Sequence, residues 1–315
     1  MKKLKLNSEE KNFLAILYNN SKERFTDEYL KKEADYWKVD NYVDIINSLI
    51  DKSALEKTNG DLVFTKAGFN EAEKCYNEFQ KKNFDENFLI HYNSKTFRKF
   101  CKEVNGIEMF LFSMLNKIQI ESLEEAAGFN NTDKVLDIGC GAGDLVEYLH
   151  DKYNFHAVGI DFAPKTIKLA NDRVKNKKDI KYLEMDIREL SELKEKFTKI
   201  IAVDSLYFHK DIRKTLKDIF ELLEEGGSVF IFYTEMINSG KEKFRAILNN
   251  LNIKYQKIDF TVEEKNLWIN TKVAAEKYKN DFERENNLSI YEGRISESEE
   301  VMRMEYERFL YIIRK

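Results

Sequence analysis

Between residues 135 and 145 the sequence reads Val-Leu-Asp-Ile-Gly-Cys-Gly-Ala-Gly-Asp-Leu, and no other stretch restricts the fold so tightly. An apolar run breaks into glycines at alternate positions (Gly139, Gly141, Gly143), and an amphipathic helical pattern begins at once. That is the pattern of a buried strand, a tight loop and a helix N-terminus. Glycine lets such a loop adopt positive φ and brings backbone N–H groups close to a ligand. In the dinucleotide fingerprint G-x-G-x-x-G the third glycine would fall at Asp144, so the spacing here is different. Asp137 ahead of the loop and Asp144 behind it would repel a pyrophosphate. They suit a ligand that carries an ammonium and a sulfonium. For an isolated glycine motif, a plain strand-to-helix turn is the competing explanation.

The next ninety residues weigh against that alternative. A strand over 134–138 is followed by a helix over 144–152, with Leu145, Tyr148 and Leu149 on its buried side. A second strand, 156–160, ends in Asp161, and a helix opens at Pro164 with Ile167, Ala170 and Val174 inward. A third strand, 180–185, ends in Asp186. A fourth, 199–203, runs into Asp204-Ser205-Leu206-Tyr207-Phe208-His209. A helix phased by Ile212, Leu216, Ile219 and Leu223 is expected to stop at Gly226-Gly227, before a fifth strand over 228–233.

In its glycine loop and in the acids that close successive strands, this stretch resembles the class I S-adenosylmethionine (SAM)-dependent methyltransferases, whose D/E-x-G-x-G-x-G loop cradles the cofactor. The resemblance implies an α/β, Rossmann-like seven-stranded sheet, mostly parallel with an antiparallel last strand, and SAM as cofactor. Asp137, Gly139, Cys140, Gly141 and Gly143 would form the cradle. Asp161 would accept both ribose hydroxyls, since a carboxylate matches a vicinal diol. Phe162 would cover the adenine, Asp186 would take its amino group, and Ile187 would add a backbone N–H and apolar cover. Asp204 would close the cofactor side beyond the fourth strand. The resemblance also implies a lid of helices just upstream, where Tyr92 packs over the sulfonium and Arg98 pairs with the cofactor carboxylate. Ordinary core packing for Tyr92 and solvation for Arg98 remain equally open. The pattern over 84–128 reads as helical, ending near Gly128.

Residues 1–82 predict three helices, the second capped by Thr26 and the third buried through Val43, Ile46 and Leu49. A hairpin turning at Asn59-Gly60 and a helix start at Thr65 complete a pattern similar to a winged helix-turn-helix domain. Charge argues against DNA binding: this segment holds 15 basic and 15 acidic residues, and its third helix has Asp40, Asp44 and Asp51 with no basic residue between them. Winged-helix-like domains in small-molecule O-methyltransferases support dimers and close the active site, which implies a scaffold role and a homodimer here.

Past the fifth strand, 236–315 predicts a helix over 241–251, a strand over 253–260 and a last strand over 308–315. The 47 residues between those strands are read as a helical insertion capping the substrate, with packing against the N-terminal domain as the alternative. A length of 315 residues suggests about two domains. Net charge of −4 gives no broad footprint for nucleic acid, and three scattered cysteines show no metal-ligand spacing. With no long apolar run and no leader-like N-terminus, a soluble, cytoplasmic protein without membrane partners is expected.

Methyl transfer is an in-line displacement that needs alignment more than acid–base help, and a base only when the nucleophile arrives protonated. His209, just past the fourth strand, is the candidate base and Tyr207 the residue that orients the acceptor; His91 is a second, weaker base. No N-P-P-Y-like sequence and no Pro-Cys pair follow the fourth strand, which counts against DNA-base amino methylation and pyrimidine C5 methylation. A small-molecule acceptor is therefore expected. The alternative is a nucleic-acid-associated protein that modifies RNA or binds SAM as a regulatory ligand.

Overall fold

The computed structural model describes residues 4–19, 24–208, 211–238 and 242–315, and the chain divides into two compact units, 1–84 and 85–315. The first unit runs α1 (Ser8–Asn19), α2 (Asp27–Trp37), α3 (Tyr42–Asp51), β1 (Leu55–Thr58) and β2 (Asp61–Phe64), then enters α4 (Lys66–Asn93), whose last turns belong to the second unit. Thr26 caps α2 by accepting from the Tyr29 N–H at 3.2 Å. Asn59 and Gly60, at φ 54° and 90°, turn the β1–β2 hairpin as the Asn-Gly pair predicts. The core closes over Phe13, Leu14, Leu17, Leu30, Leu49 and Leu55. In α3 the buried side is Ile45, Ile46 and Leu49, and Val43, expected inside, is 54% exposed.

In the second unit, α5 (Lys95–Asn105) and α6 (Lys117–Ala127) precede the sheet. The segment between them is not helical as expected: Met109, Phe110, Leu111 and Leu115 are buried in irregular chain. Gly128, at φ 56°, ends α6 where its sequence predicted. The sheet then builds through β3 (Lys134–Ile138), α7 (Asp144–Tyr153), β4 (His156–Asp161), α8 (Pro164–Val174), β5 (Ile180–Glu184), β6 (Phe197–Val203), α9 (Ile212–Leu222) and β7 (Leu223–Met236). After it come α10 (Phe244–Asn250), β8 (Tyr255–Asp259), α11 (Thr261–Arg284), α12 (Leu288–Met302) and β9 (Tyr306–Arg314).

The seven strands lie in the order β5-β4-β3-β6-β7-β9-β8; the first five are parallel, and β9 is antiparallel to both of its neighbours. Val135 on one face of β3 shares a core with Leu123 of α6, Leu149 of α7 and Ile167 of α8. Leu136 and Ile138 on the other face share a core with Leu216 and Ile219 of α9 and Leu248 of α10. A sheet covered on both faces needs near-continuous apolar strands, and the central strands β3, β4, β6 and β7 are mostly apolar and buried, whereas β5 and β8 at the edges are mixed. Gly226 and Gly227 do not end α9, which stops at Leu222. They sit in an irregular start of β7, opposite a register shift between Phe197 and Lys199. Among the described residues no helix is long and apolar enough to cross a membrane.

Candidate active site

The parallel strands deliver their carboxyl ends to one edge, where an open α/β sheet binds ligands. Gly139 and Gly143 have φ of 78° and 80°. A Cβ at Gly139 would lie 2.4 Å from the Ser205 Cβ, and one at Gly143 would lie 2.2 Å from the Tyr182 ring. Only glycine combines that backbone with so close an approach. The loop is tied down by its own amides: Gly139 and Cys140 N–H donate to the Ile160 carbonyl at 2.8 and 3.0 Å, and the Gly143 N–H donates to the Cys140 carbonyl at 2.9 Å. The Gly141 N–H donates to Asp161 Oδ2 at 3.0 Å.

Two carboxylates lie buried under this loop. Asp161 also accepts from the Ala163 N–H at 3.0 Å, yet burial pushes its pKa up to about 6 against the pull of these N–H donors. Asp137 is 3% exposed, and its carboxyl makes no hydrogen bond among the described residues. Burial, and then the neighbouring Asp161 charge, push it up to about 7. A buried carboxyl without a donor is costly unless a ligand supplies one. A cradle that a Cβ would fill, over an acid lacking a donor, fits a ligand bearing an ammonium group and hydroxyls.

The remaining expected cofactor residues line the same edge with different commitments. Phe162 and Ile187 are half-buried at the ends of β4 and β5. Asp186 caps the short helix that follows, and its carboxylate accepts from the Arg188 N–H at 3.0 Å and Nε at 2.8 Å. The carboxylate expected to take the adenine amino group is thus also engaged with Arg188.

Beyond β6, Asp204 is a non-glycine residue at φ 52°, which is strained backbone unless the surroundings impose it. Arg308, from β9 and 1% exposed, imposes it: Nη1 pairs with Asp204 Oδ1, and Nη2 donates to Oδ2 at 3.0 Å. Arg308 also donates to Thr234 Oγ1 at 3.0 Å, and its Nε lies 4.0 Å from Glu264 of α11. The Tyr207 hydroxyl accepts from the Thr234 N–H and donates to Asp204 Oδ1 at 3.3 Å, while its ring is exposed. Burial of that hydroxyl and the Asp204 charge raise its pKa, which suits orientation rather than proton abstraction. His209, the expected base, lies outside the described residues.

The upstream aromatics do meet the loop. Phe88 of α4 lies 3.6 Å from the Cβ position of Gly141, and Tyr92 stacks on Phe88 at 6.0 Å. The Tyr92 hydroxyl accepts from Arg173 Nη1 at 3.0 Å. Arg98, expected on the cofactor carboxylate, is exposed, packs 4.6 Å over the Tyr92 ring and donates to the Tyr92 carbonyl at 3.3 Å. His91 is buried against Phe97 and Phe112. Burial and the Arg294 charge lower its pKa to about 4, so it is neutral at pH 7. Asp85, Arg173, Glu264 and Arg308 are absent from the sequence-based assignment. Their partners lie 26 to 194 residues away, and no local pattern marks such pairs.

Residues 135–227 match the family model described as "Methyltransferase domain". The chain is 27% identical over 199 residues to a malonyl-[acyl-carrier protein] O-methyltransferase of Bacillus anthracis, covering 62% of this chain and 69% of that protein. It is 26% identical over 131 residues to phosphoethanolamine N-methyltransferase 1 of Triticum aestivum, covering 41% of this chain and only 26% of that protein. Among solved structures, phosphoethanolamine N-methyltransferase 2 of Haemonchus contortus in complex with S-adenosyl-L-methionine is similar with a TM-score of 0.61 at 15% identity, over 88% of this chain and 75% of that one. At that identity the likeness speaks for the fold. Cradle, buried acids, strand order and family match converge: the chain carries a class I SAM-dependent methyltransferase domain of Rossmann-like fold.

Proposed function

We propose that this protein transfers a methyl group from SAM to a small-molecule acceptor, at oxygen or nitrogen. The observation that carries the reading is the loop after β6. There Ser205 packs against Gly139 of the cradle, while Asp204 and Tyr207 are locked by Arg308 and Thr234. A group fixed so close to the cradle can align a nucleophile, which is the main demand of an in-line displacement.

Bound SAM supplies an electrophilic methyl on a sulfonium. Asp137 would accept from its ammonium, Asp161 from its ribose, and Gly139, Cys140, Gly141 and Gly143 would shape the cradle around it. Phe162 and Ile187 would cover the adenine, and Asp186 would reach it only with Arg188 attached. Asp204 and Tyr207 would face the acceptor, and His209 would take a proton where the acceptor carries one. Tyr92 and Phe88 would exclude water from the methionine end, and Arg98 would act through Tyr92. The helices α11 and α12, which supply Glu264, would wall the acceptor. The first unit, winged-helix-like in its element order, would serve as scaffold and dimer surface.

The relatives named above are an O- and an N-methyltransferase by name, which supports both acceptor atoms. The exposed side of α3 carries Asp44, Asn47 and Asp51, which supports a small molecule over nucleic acid. The test is S-adenosylhomocysteine (SAH) release from SAM against pooled metabolites and, separately, RNA, with calorimetric SAH binding as control. Turnover with a metabolite pool is expected. SAH binding combined with turnover on RNA alone would overturn the small-molecule reading.

A further inference from the structure

The glycine loop is held from outside by a residue that no motif contains. Arg173, near the end of α8, has five N–H donors, and each has a partner. Nε donates to Glu147 Oε1 at 3.1 Å, and Nη2 donates to the same oxygen and to the Ala142 carbonyl, both at 2.5 Å. Nη1 donates to Asp144 Oδ2 at 3.1 Å and to the Tyr92 hydroxyl at 3.0 Å. Ala142 lies between the second and third glycines, Asp144 and Glu147 open α7, and Tyr92 belongs to the last turn of α4.

We infer that Arg173 is a positioning residue for cofactor binding, which joins the third-glycine end of the cradle and the Tyr92 lid into one piece. This rests on the SAM reading of the cradle.

The first reason is geometric. Gripping the Ala142 carbonyl fixes the orientation of the 142–143 peptide, whose N–H closes the loop on Cys140. The second is electrostatic. Asp144 and Glu147 are matched by the guanidinium, so the acids left without a cation beneath the loop are Asp137 and Asp161. A ligand cation is thus directed to the buried pair and not to the mouth of α7. The third is the lid: Tyr92, stacked on Phe88 beside Gly141, has its hydroxyl on the same guanidinium. A lysine has neither the donors nor the planar fork to serve all these acceptors.

The experiment measures SAH affinity by calorimetry on the full chain and its variants R173K, R173M, Y92F and R173M/Y92F. Ligand-free thermal unfolding is recorded for each. Wild-type binding is measured first, because its absence would sink the cofactor reading itself rather than this inference. Arg173→Lys and Arg173→Met are expected to weaken SAH binding by about ten- to a hundredfold, the scale of a misplaced binding loop. Tyr92→Phe loses one hydrogen bond and should cost about fivefold. The double variant should bind no more weakly than R173M alone, because both changes break one unit. A brace that serves folding only would lower the unfolding temperature and leave the SAH affinity of the folded variants unchanged. Folded R173K and R173M that bind SAH within about twofold of wild type, or losses that multiply in the double variant, would overturn the inference. Should R173M fail to fold, R173K and Y92F decide the matter: both must weaken SAH binding, and wild-type affinity in either overturns it.

Discussion

Asp137 shows what the cofactor cradle costs when nothing is bound. Its pKa, raised by burial from 3.8 to about 7, means the fold prefers the protonated acid. A carboxyl with a raised folded-state pKa destabilises as pH climbs from the unfolded to the folded value, here across roughly pH 4 to 7. Above that window the full penalty is present, of the order of 2–4 kcal/mol for a shift of this size. The Asp137→Asn variant should therefore gain on wild type as pH rises from 5 to 8, read by urea unfolding of the ligand-free proteins. The same variant should lose SAH affinity. Arg308 presents the reverse case, a buried cation paired with two acids, Asp204 and Glu264. Removing it by Arg308→Met strands the Asp204 and Glu264 carboxylates and should destabilise by about 3–5 kcal/mol, measured by chemical denaturation. Replacing only Glu264 with Gln should cost far less, since Arg308 keeps Asp204.

Helix α8 illustrates how one element borrows its terminus from another. Its own N-cap position, Ala163, offers no side-chain acceptor. Asp85, 2% exposed on α4, accepts from the Lys165 and Thr166 N–H groups at 3.1 and 3.0 Å and from the Thr166 hydroxyl at 3.0 Å. Asp85→Ala should therefore lower stability by about 1–3 kcal/mol, while Asp85→Asn, which still accepts, should retain most of it; thermal unfolding separates the two. Such long-range caps mark where sequence reading stops. The strands and helices around the glycine loop were legible because apolar periodicity and punctuation by Asp161, Pro164 and Gly128 are local signals. Val43 was misplaced because two adjacent isoleucines shift the buried face of α3 by less than a turn. Gly226-Gly227 reads as a stop but lies inside β7, opposite a register shift, since a glycine pair marks backbone freedom without saying which element uses it. The run 109–115 is as apolar as a helix, yet its burial is achieved without one. At the site, the glycines and strand-end acids were readable, whereas Arg173 and Arg308 act only through distant partners.

At the scale of the whole chain, charge is the quantity with a functional consequence. The net charge is −4, and residues 1–82 balance 15 basic against 15 acidic residues. Among helices of the first unit, α3 has its only charged residues in Asp44 and Asp51. With acids rather than bases on α3 and no net positive charge, little counterion release from a phosphate backbone is expected. Duplex DNA should bind the full chain no more tightly than about 10⁻⁴ M at physiological salt, with little dependence on salt concentration, as fluorescence anisotropy can report. The order of the strands carries a further consequence, for biosynthesis. β9 lies between β7 and β8, so β8 emerges from the ribosome with its neighbour still unmade, and two long helices are translated before it arrives. Throughout that interval both strands expose raw edges that another nascent chain could seize. The same late strand delivers Arg308, so the moment that seals the sheet also sets Asp204 in place.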